Sequence, residues 1–250
     1  MGKLRLAVLC MALGLGLAGR SEHAAAQPSG TVIAVVQSAA IDAATGRKVL
    51  QPEAPVFSGD RIVTGGVGEA QIRFRDNTRL VVGPNSRMVI DAFVFNDDDT
   101  ARKFTINVTK GAFRFITGKS SKDAYTINTP TATIGVRGTV FDLNVGIETR
   151  LLNLSGTTRQ CELLKPGQDI DRATRCVETS DSCGVSVLRS GRPVEQLKYL
   201  PEVVRTLDRY FKYERDQSAL RTEFRADTSR CEEVRQLVRL RFSPVTVSPN

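Results

Sequence analysis

Alternating apolar and polar residues are the main pattern of the chain between residues 58 and 145. In the alternating segments every second residue is apolar, and turn-forming residues separate one segment from the next. The segments are Ala70–Phe74, Met88–Phe95, Phe104–Val108, Phe113–Phe115 and Phe141–Val145. A period of two is typical of strands with one buried face, and turns at intervals of about ten residues favour an all-β unit. The β-branched run Thr31–Gln37 predicts one earlier strand. The sequence therefore predicts a mainly β fold.

The periodicity changes near the C-terminus, after Pro201. Apolar residues there recur at spacings of three and four, at Val203, Val204, Leu207, Tyr210 and Phe211. This spacing predicts an amphipathic helix, and Pro201 suits its first turn. A second helix is predicted from Ser229, because Ser229 and Glu232 form a capping-box pattern ahead of another apolar run. We therefore expect the β region to be followed by a short α-helical segment.

The first 26 residues have the pattern of a secretory signal peptide. Lys3 and Arg5 precede the apolar run Leu6–Gly19, and the small residues Ala24–Ala26 resemble a cleavage site. We expect cleavage after Ala26, no transmembrane span in the mature chain, and a periplasmic or secreted protein. An uncleaved membrane anchor remains the alternative.

Cleavage changes the set of reactive side chains. It removes His23, the single histidine, together with Cys10, and leaves four cysteines at Cys161, Cys176, Cys183 and Cys231. An even number of cysteines in an exported chain predicts disulfides, with three possible pairings for four residues. Our hypothesis pairs Cys176 with Cys183 across a hairpin and Cys161 with Cys231. A four-thiolate zinc site is the alternative, although the C-x2-C spacing typical of such sites is missing.

The distribution of charges and the scarcity of aromatic residues argue against a nucleic-acid partner, although the net charge is positive. The formal net charge is +8 for the whole chain, and the mature chain keeps 32 basic and 26 acidic residues, a net charge of +6. In the predicted helices the two signs are interspersed, which favours a solvated, salt-bridged face. Trp is absent and aromatic residues make up 6% of the chain, so stacking platforms for single strands are not expected. Anionic envelope partners remain compatible with this charge.

Three motifs give the β region a resemblance to a known family. The segment P-T-A-T-I-G-V-R-G-T, at Pro130–Thr139, resembles the most recognisable motif of the FecR domain. The run from Gly59 to Phe93 and the stretch Lys110–Gly118 resemble other parts of the same domain, in the same order. The resemblance extends over Ser58–Asn144. One departure is D-N-T at residues 76–78, where D-G-T is more usual; Asn tolerates positive φ, so the turn is expected to survive.

The resemblance implies an architecture and a division of the chain. FecR-like domains are solenoid-like or sandwich-like β folds, and the pattern leaves both open. The expected parts are a signal peptide at 1–26, a FecR-like β domain at 27–145, a β extension with cysteines at 146–192 and an α-helical segment at 193–250. The helical segment either packs on the β domain or forms a separate arm.

Groups suited to catalysis are scarce in the mature sequence. Without histidine there is no Ser-His-Asp or Cys-His arrangement, and no phosphate-binding glycine loop follows a strand. Asp60, Asp76 and Asp91 lie beside turns, where Asp commonly caps its own backbone. The run Asp97–Asp99 is interpreted as a solvated hairpin tip, since a calcium loop needs alternating ligands and a glycine. We therefore expect no enzyme and no cofactor; a hydrolase with paired carboxylates is the least supported alternative.

Two arginines are the candidate binding residues. Arg137 lies between Gly135 and Gly138, and is expected at a sharp corner between two strands. A buried guanidinium there would need a clasp, with Asp76 or Asp142 as partner. The alternative for Arg137 is an anion or partner contact. Arg114, on the strand face opposite its apolar neighbours, is the second candidate.

The functional hypothesis follows from the resemblance to the FecR domain and from the scarcity of side chains suited to catalysis. The family is known mainly for bacterial periplasmic sensing or interaction modules, and its namesakes relay a receptor signal to a cytoplasmic sigma factor. Because no cytoplasmic domain precedes the β region, we do not expect anti-sigma activity. We expect a non-enzymatic exported module that recognises an envelope protein or glycan. The alternative is a disulfide-stapled envelope scaffold that assembles through its C-terminal helices.

Overall fold

The computed structural model describes residues 27–43, 46–96, 98–163 and 175–242. The predicted signal peptide, Asp97 and the turn at 165–168 lie outside these residues. The strands are β1 Gly30–Val36, β2 Ala39–Ala43, β3 Gly46–Val49, β4 Pro55–Val56, β5 Arg61–Thr64, β6 Glu69–Phe74, β7 Arg79–Val82, β8 Arg87–Phe95, β9 Ala101–Ile116, β10 Tyr125–Asn128, β11 Ala132–Val145, β12 Glu148–Glu162, β13 Cys176–Thr179, β14 Gly184–Arg189 and β15 Glu195–Gln196. The helices are α1 Leu200–Tyr210, α2 Lys212–Arg215 and α3 Ser229–Phe242. The prediction of a mainly β chain with C-terminal helices is confirmed.

All fifteen strands belong to one hydrogen-bonded sheet, and its longest strands change partners halfway along. The first half of β9 pairs with β8 and β10, and its second half pairs with β7 and β11. Gly111 lies at this change with φ of 117°, and Gly138 lies at the equivalent change in β11 with φ of 65°. Glycine reaches such positive φ values without steric cost, so these two residues allow the strands to bend. The predicted corner in the Pro130–Thr139 motif is therefore present.

The bends bring the inward faces of both halves onto one aromatic core. Its rings come from β6, β8, β9, β10 and β11, and neighbouring centroids are 4.3 to 6.2 Å apart; the residues are Phe74, Phe93, Phe104, Phe115, Tyr125 and Phe141. Among the described pairings β9–β10 alone is parallel. A β-helical solenoid stacks parallel strands, so the antiparallel, sandwich-like alternative agrees better with these pairings.

The C-terminal helices pack on the β region. One apolar cluster combines Leu152 and Val185 from β12 and β14 with Leu207 and Val234 from α1 and α3. As predicted, Pro201 lies in the first turn of α1, and α3 begins at Ser229. The separate-arm alternative is therefore not what the structure contains.

The predicted disulfide pairing is wrong. The bonds join Cys161 to Cys176 and Cys183 to Cys231. Cys161 and Cys176 are register partners in β12 and β13, so the sheet places their side chains together. Cys183 has φ of 66° in the turn before β14, and there it meets α3 rather than Cys176. All four cysteines are used in disulfides, which leaves no thiolates for the zinc alternative.

Candidate binding surface

Arg137 does not form the buried clasp expected from the sequence. Its side chain is exposed on β11, beside the exposed Gly138. The two carboxylates considered as its partners are engaged by other residues: Asp142 pairs with Arg114, and Asp76 accepts hydrogen bonds within its own cluster. The expected burial of Arg137 is therefore wrong, because the bend at Gly138 directs this part of the motif to the surface.

Asp76 connects its own turn, at residues 76–78, to Ser120 and to Tyr125 of β10 through hydrogen bonds. Its Oδ2 accepts hydrogen bonds from Tyr125 Oη and Ser120 Oγ, both at 2.7 Å, and its Oδ1 accepts one from Thr78 N at 3.0 Å. Burial is the main cause that raises the pKa of Tyr125. Asn77 has φ of 64°, so the expected positive-φ turn survives without glycine. Asp60 likewise caps a turn, since its carboxylate accepts from Phe57 N at 2.8 Å. The structural roles predicted for these two aspartates are confirmed.

Arg114, the other candidate, is completely buried at 0% exposure. Its Nε and Nη2 donate to the two oxygens of Asp142 at 2.7 and 2.8 Å. Nη2 also donates to Tyr213 O at 2.8 Å, and Nη1 donates to Gln217 Oε1. Burial raises the pKa of Asp142, and the Arg114 charge opposes that rise. Arg114 therefore binds the chain's own C-terminal segment, and a partner would reach it only if that segment moved.

The segment Phe211–Ala226, which we call the strap, is held by polar side chains on one face of the sheet. Tyr213 Oη donates to Glu69 Oε2 at 2.8 Å. Gln71 donates to Ala219 O at 3.0 Å and accepts from Arg221 N at 2.9 Å. Arg79 donates to Glu223 O at 3.0 Å. The sheet thus binds mainly the backbone of the strap, through buried side chains of β6 and β9 and through Arg79 of β7.

The sequence pattern did not predict this face. Strands β6 and β7 carry polar side chains at Glu69, Gln71 and Arg79. The polar side chains of a strand in which polar and apolar residues alternate normally face water. Their partners lie far away in the chain: Gln71 and Ala219 are 148 residues apart. The clue in the sequence was a row of polar residues on neighbouring strands, but no local spacing connects it to the strap.

A second buried ion pair fixes α3 against α2. Arg235 donates to both carboxylate oxygens of Glu214, and its Nε donates to Asp208 at 3.1 Å. Hydrogen bonding to Glu214 is the main cause that raises the pKa of Arg235. The predicted salt-bridged helical face is therefore partly internal, and it connects the helices to one another.

A cavity of about 340 Å³ lies between β1 and the strap. Ala34, Val35 and Val36 form one wall, and residues 218–222 with Arg225 form the other. Arg221 and Arg225 are exposed at this cavity, and none of its nine lining residues is acidic. An open cavity with two guanidinium groups and no carboxylate is suited to an anionic group.

The described residues contain neither a cluster of metal ligands nor a helix able to span a membrane. These residues contain no grouping of three His, Cys, Asp or Glu side chains able to hold a metal ion. In the predicted hairpin tip, Asp98 accepts hydrogen bonds from Thr100 and Asp99 pairs with Arg75. In the same parts of the chain, no helix has the length and apolar character needed to cross a bilayer.

Comparison with known proteins gives one family match. The family model described as FecR protein matches residues 60–157. Two crystal structures of a proposed anti-sigma factor from Parabacteroides distasonis ATCC 8503 align with 55% of this chain and 59% of theirs, at 10% identity and TM-scores of 0.42 and 0.41. A cell surface anchoring domain is 31% identical over 24% of this chain and 82% of its own, with a TM-score of 0.23. No curated protein matches the chain.

Proposed function

We propose that this chain, which matches the FecR family model at residues 60–157, is a non-catalytic exported module that senses or binds a protein or envelope ligand. A FecR domain is a sensing or regulatory unit, and that coarser assignment rests on the family match. The observation that supports the finer proposal is the exposed Arg137 at the bend of the Pro130–Thr139 motif.

The disulfides support export. Disulfides persist in the periplasm and outside the cell, whereas cytosolic thiols are kept reduced. Both bonds lie within the part of the chain that would remain after cleavage at Ala26. A periplasmic or secreted location therefore fits both the signal-peptide pattern and the folded chain.

Arg137 is held on a firm backbone, which suits a partner contact. A Cβ added at Gly156 of β12 would lie 2.1 Å from the carbonyl oxygen of Gly138, so the two strands approach closely at this bend. An arginine on a firm support loses less entropy when its planar fork binds a carboxylate. We propose that Arg137 contacts an acidic group of the partner.

The large buried ionisable groups support a non-catalytic role. Arg114 is occupied by Asp142 and the strap, Glu69 by Tyr213, and Arg235 by Glu214. Each of these contacts holds one part of the fold against another. A catalytic group needs access to substrate, so these residues serve folding rather than reaction.

The test places a photo-crosslinking residue at Thr157, the register partner of Arg137 on β12. The full chain is produced with its own leader and illuminated in living cells, and the adduct is identified by mass spectrometry. We expect one envelope partner, lost in Arg137→Glu and retained in Arg102→Glu, which changes an exposed arginine on β9. N-terminal sequencing of the same material should begin at Gln27. The same adduct in both variants would contradict the role of Arg137, and a cytoplasmic chain that keeps its leader would contradict export.

One observation favours the scaffold alternative. Leu237 and Leu240 of α3 are 50% and 84% exposed, and exposed leucines on a helix can mediate assembly. Light scattering of the purified chain distinguishes the two functions. A stable oligomer that Leu237→Ser/Leu240→Ser dissociates would support the scaffold, whereas a monomer would support the binding module.

A further inference from the structure

The outer edge of β1 is partly unpaired. On one side β1 pairs with β6 from Gly30 to Val36, with a shift of register between Val32 and Ala34. On the other side its first residues, Gly30 and Thr31, pair with β4, and Val32 exchanges backbone hydrogen bonds with Glu53 and Ala54. Within the described residues no strand continues this side along Ile33–Val36. Backbone groups of about half of β1 are therefore available to another extended chain.

This edge has little of the usual protection. Native edge strands are commonly blocked by lysine, proline, an inward-pointing charge, a β-bulge or a covering element. The pairing of β1 with β6 shifts register between Val32 and Ala34, so a bulge at Ile33 bends the strand, and Ala34–Val36 continue beyond it. Ile33–Val36 reads I-A-V-V, with no charge and no proline, and its three β-branched residues favour extended backbone. In place of a covering element, the cavity of about 340 Å³ described above opens beside it. Such an edge, kept open in a folded protein, is suited to binding a strand.

The charges at the cavity indicate which kind of strand. Arg225 Nε donates to Leu220 O at 3.0 Å, which fixes the side chain beside the cavity. The backbone N of Arg221 donates to Gln71 Oε1, which fixes that residue on the sheet. Of the two carboxylates that flank these residues in the strap, Glu223 pairs with Arg73, whereas Asp216 accepts a hydrogen bond from Ser218 and keeps its charge. The two guanidinium groups therefore present positive charge toward whatever enters the cavity.

We propose that the edge of β1 at Ile33–Val36 binds an extended acidic segment of a partner polypeptide, which adds to the sheet as a strand and places a carboxylate between Arg221 and Arg225. Backbone hydrogen bonds to the edge supply affinity in this mode, and the side chains that reach the cavity supply specificity. The inference rests on the proposed binding function, and it names the chemistry of the partner and a second contact surface besides Arg137.

The strap determines the shape of this site. Leu220 and Phe224 are 2% and 0% exposed, and they pack with Val81, Tyr213 and the partly buried Ile33 of β1. The strap therefore forms a fixed wall of the cavity and keeps both arginines beside the strand edge. Residues from opposite ends of the chain make one site, so the site exists only when the tail is docked.

The experiment selects peptides from a phage-displayed library of random twelve-residue sequences against the full oxidised chain. We expect the selected peptides to combine alternating β-branched residues with Asp or Glu. Fluorescence polarisation of one labelled peptide then measures binding to the wild type and to three variants. Arg221→Glu/Arg225→Glu should weaken binding about tenfold or more, because two attractive charges become repulsive. Ala34→Phe, which fills the cavity without changing charge, should also abolish binding.

The matched control is Arg102→Glu/Lys103→Glu, which makes the same change of charge on exposed residues of β9. It should bind as the wild type does, and thermal melting should give all variants similar midpoints. Selected peptides without acidic enrichment, or equal binding to the cavity variants and the wild type, would overturn the inference. If the partner crosslinked at Thr157 binds Arg221→Glu/Arg225→Glu unchanged, the β1 site is wrong and the proposed function stands. If no partner crosslinks but acidic peptides bind at β1, the role of Arg137 is wrong instead.

Discussion

At the scale of single residues, Arg114 is a large, fully buried side chain whose guanidinium has partners in both the sheet and the strap. It is fully buried, and it bonds to a carboxylate of β11 and to two positions of the strap. A buried ion pair gives little net stability, because desolvation of both charges offsets their attraction. Removing one partner is different, since it leaves the other charge buried and unpaired. Arg114 therefore matters chiefly as half of a pair.

We predict that Arg114→Met lowers the free energy of unfolding by about 3–5 kcal/mol, because Asp142 keeps a buried position without its partner. The double variant Arg114→Met/Asp142→Leu should recover most of that loss. Urea denaturation of the oxidised protein measures both, and Arg102→Met provides an exposed arginine as control. A double variant no more stable than Arg114→Met would show that the contacts with the strap, and not the buried charge, carry the effect.

Tyr213 predicts how stability depends on alkaline pH. Burial and the neighbouring Glu69 carboxylate raise the pKa of Tyr213 well above its ordinary value of about 10. Above pH 10 the unfolded chain loses this proton while the folded chain keeps it. The contribution of Tyr213 to the free energy of unfolding is therefore complete below pH 10, and it falls by about 1.4 kcal/mol per pH unit above pH 10. Tyr125, whose pKa is also raised, contributes in the same direction.

Tyr213→Phe tests this dependence. The variant should lose about 1 kcal/mol at neutral pH with the hydrogen bond to Glu69, and its stability should fall less steeply above pH 10 than that of the wild type. Urea midpoints between pH 8 and pH 11 give the slope, with Tyr199→Phe as the exposed control. Parallel slopes for Tyr213→Phe and the wild type would contradict the proposed neutral phenol.

At the scale of elements, the sequence predicts most of what the structure contains. Strand positions follow from side-chain alternation, and the two bends follow from glycines, because both are properties of a few neighbouring residues. The disulfides were mispredicted for the opposite reason. Cys161 lies beside Cys176 because the two are register partners in β12 and β13. The spacing of residues along the chain does not predict the register of two strands that a loop separates. The sequence identifies both Arg137 and Arg114 as candidate binding residues. It does not predict which of the two is buried, because burial depends on contacts between segments that are distant in the chain.

The two disulfides should stabilise the chain unequally. The bond between Cys161 and Cys176 spans 15 residues, and that between Cys183 and Cys231 spans 48. Loop-closure entropy gives about 3 kcal/mol for the shorter loop and about 4 kcal/mol for the longer one. Cys183→Ala/Cys231→Ala should therefore cost about 1 kcal/mol more than Cys161→Ala/Cys176→Ala. It should also speed hydrogen exchange in the strap, whereas the other variant should not; equal exchange in both would contradict the role of this bond in holding the tail.

At the scale of the whole molecule, the β region and the tail pack together as one folding unit. The strap supplies backbone acceptors to Arg79, Gln71 and Arg114, and α1 covers apolar residues of β12 and β14. Sequence periodicity predicts the helices but not their docking, because the hydrogen bonds between the sheet and the strap join residues from 99 to 150 positions apart. The β1 edge site was missed for the same reason, since its two walls come from opposite ends of the chain.

The last prediction concerns a chain that ends at Arg192. Without the tail, Leu152 and Val185 lose their apolar cover, and Arg114 keeps Asp142 but loses its other acceptors. We expect this truncated chain to give a poorly dispersed ¹H–¹⁵N correlation spectrum, because uncovered apolar surface and the loss of the docking hydrogen bonds both oppose folding. Adding a synthetic peptide of residues 193–242 should restore dispersion, because most docking contacts are non-covalent. A dispersed spectrum from the truncated chain alone would contradict this expectation, and it would place the boundary of the folding unit before the tail.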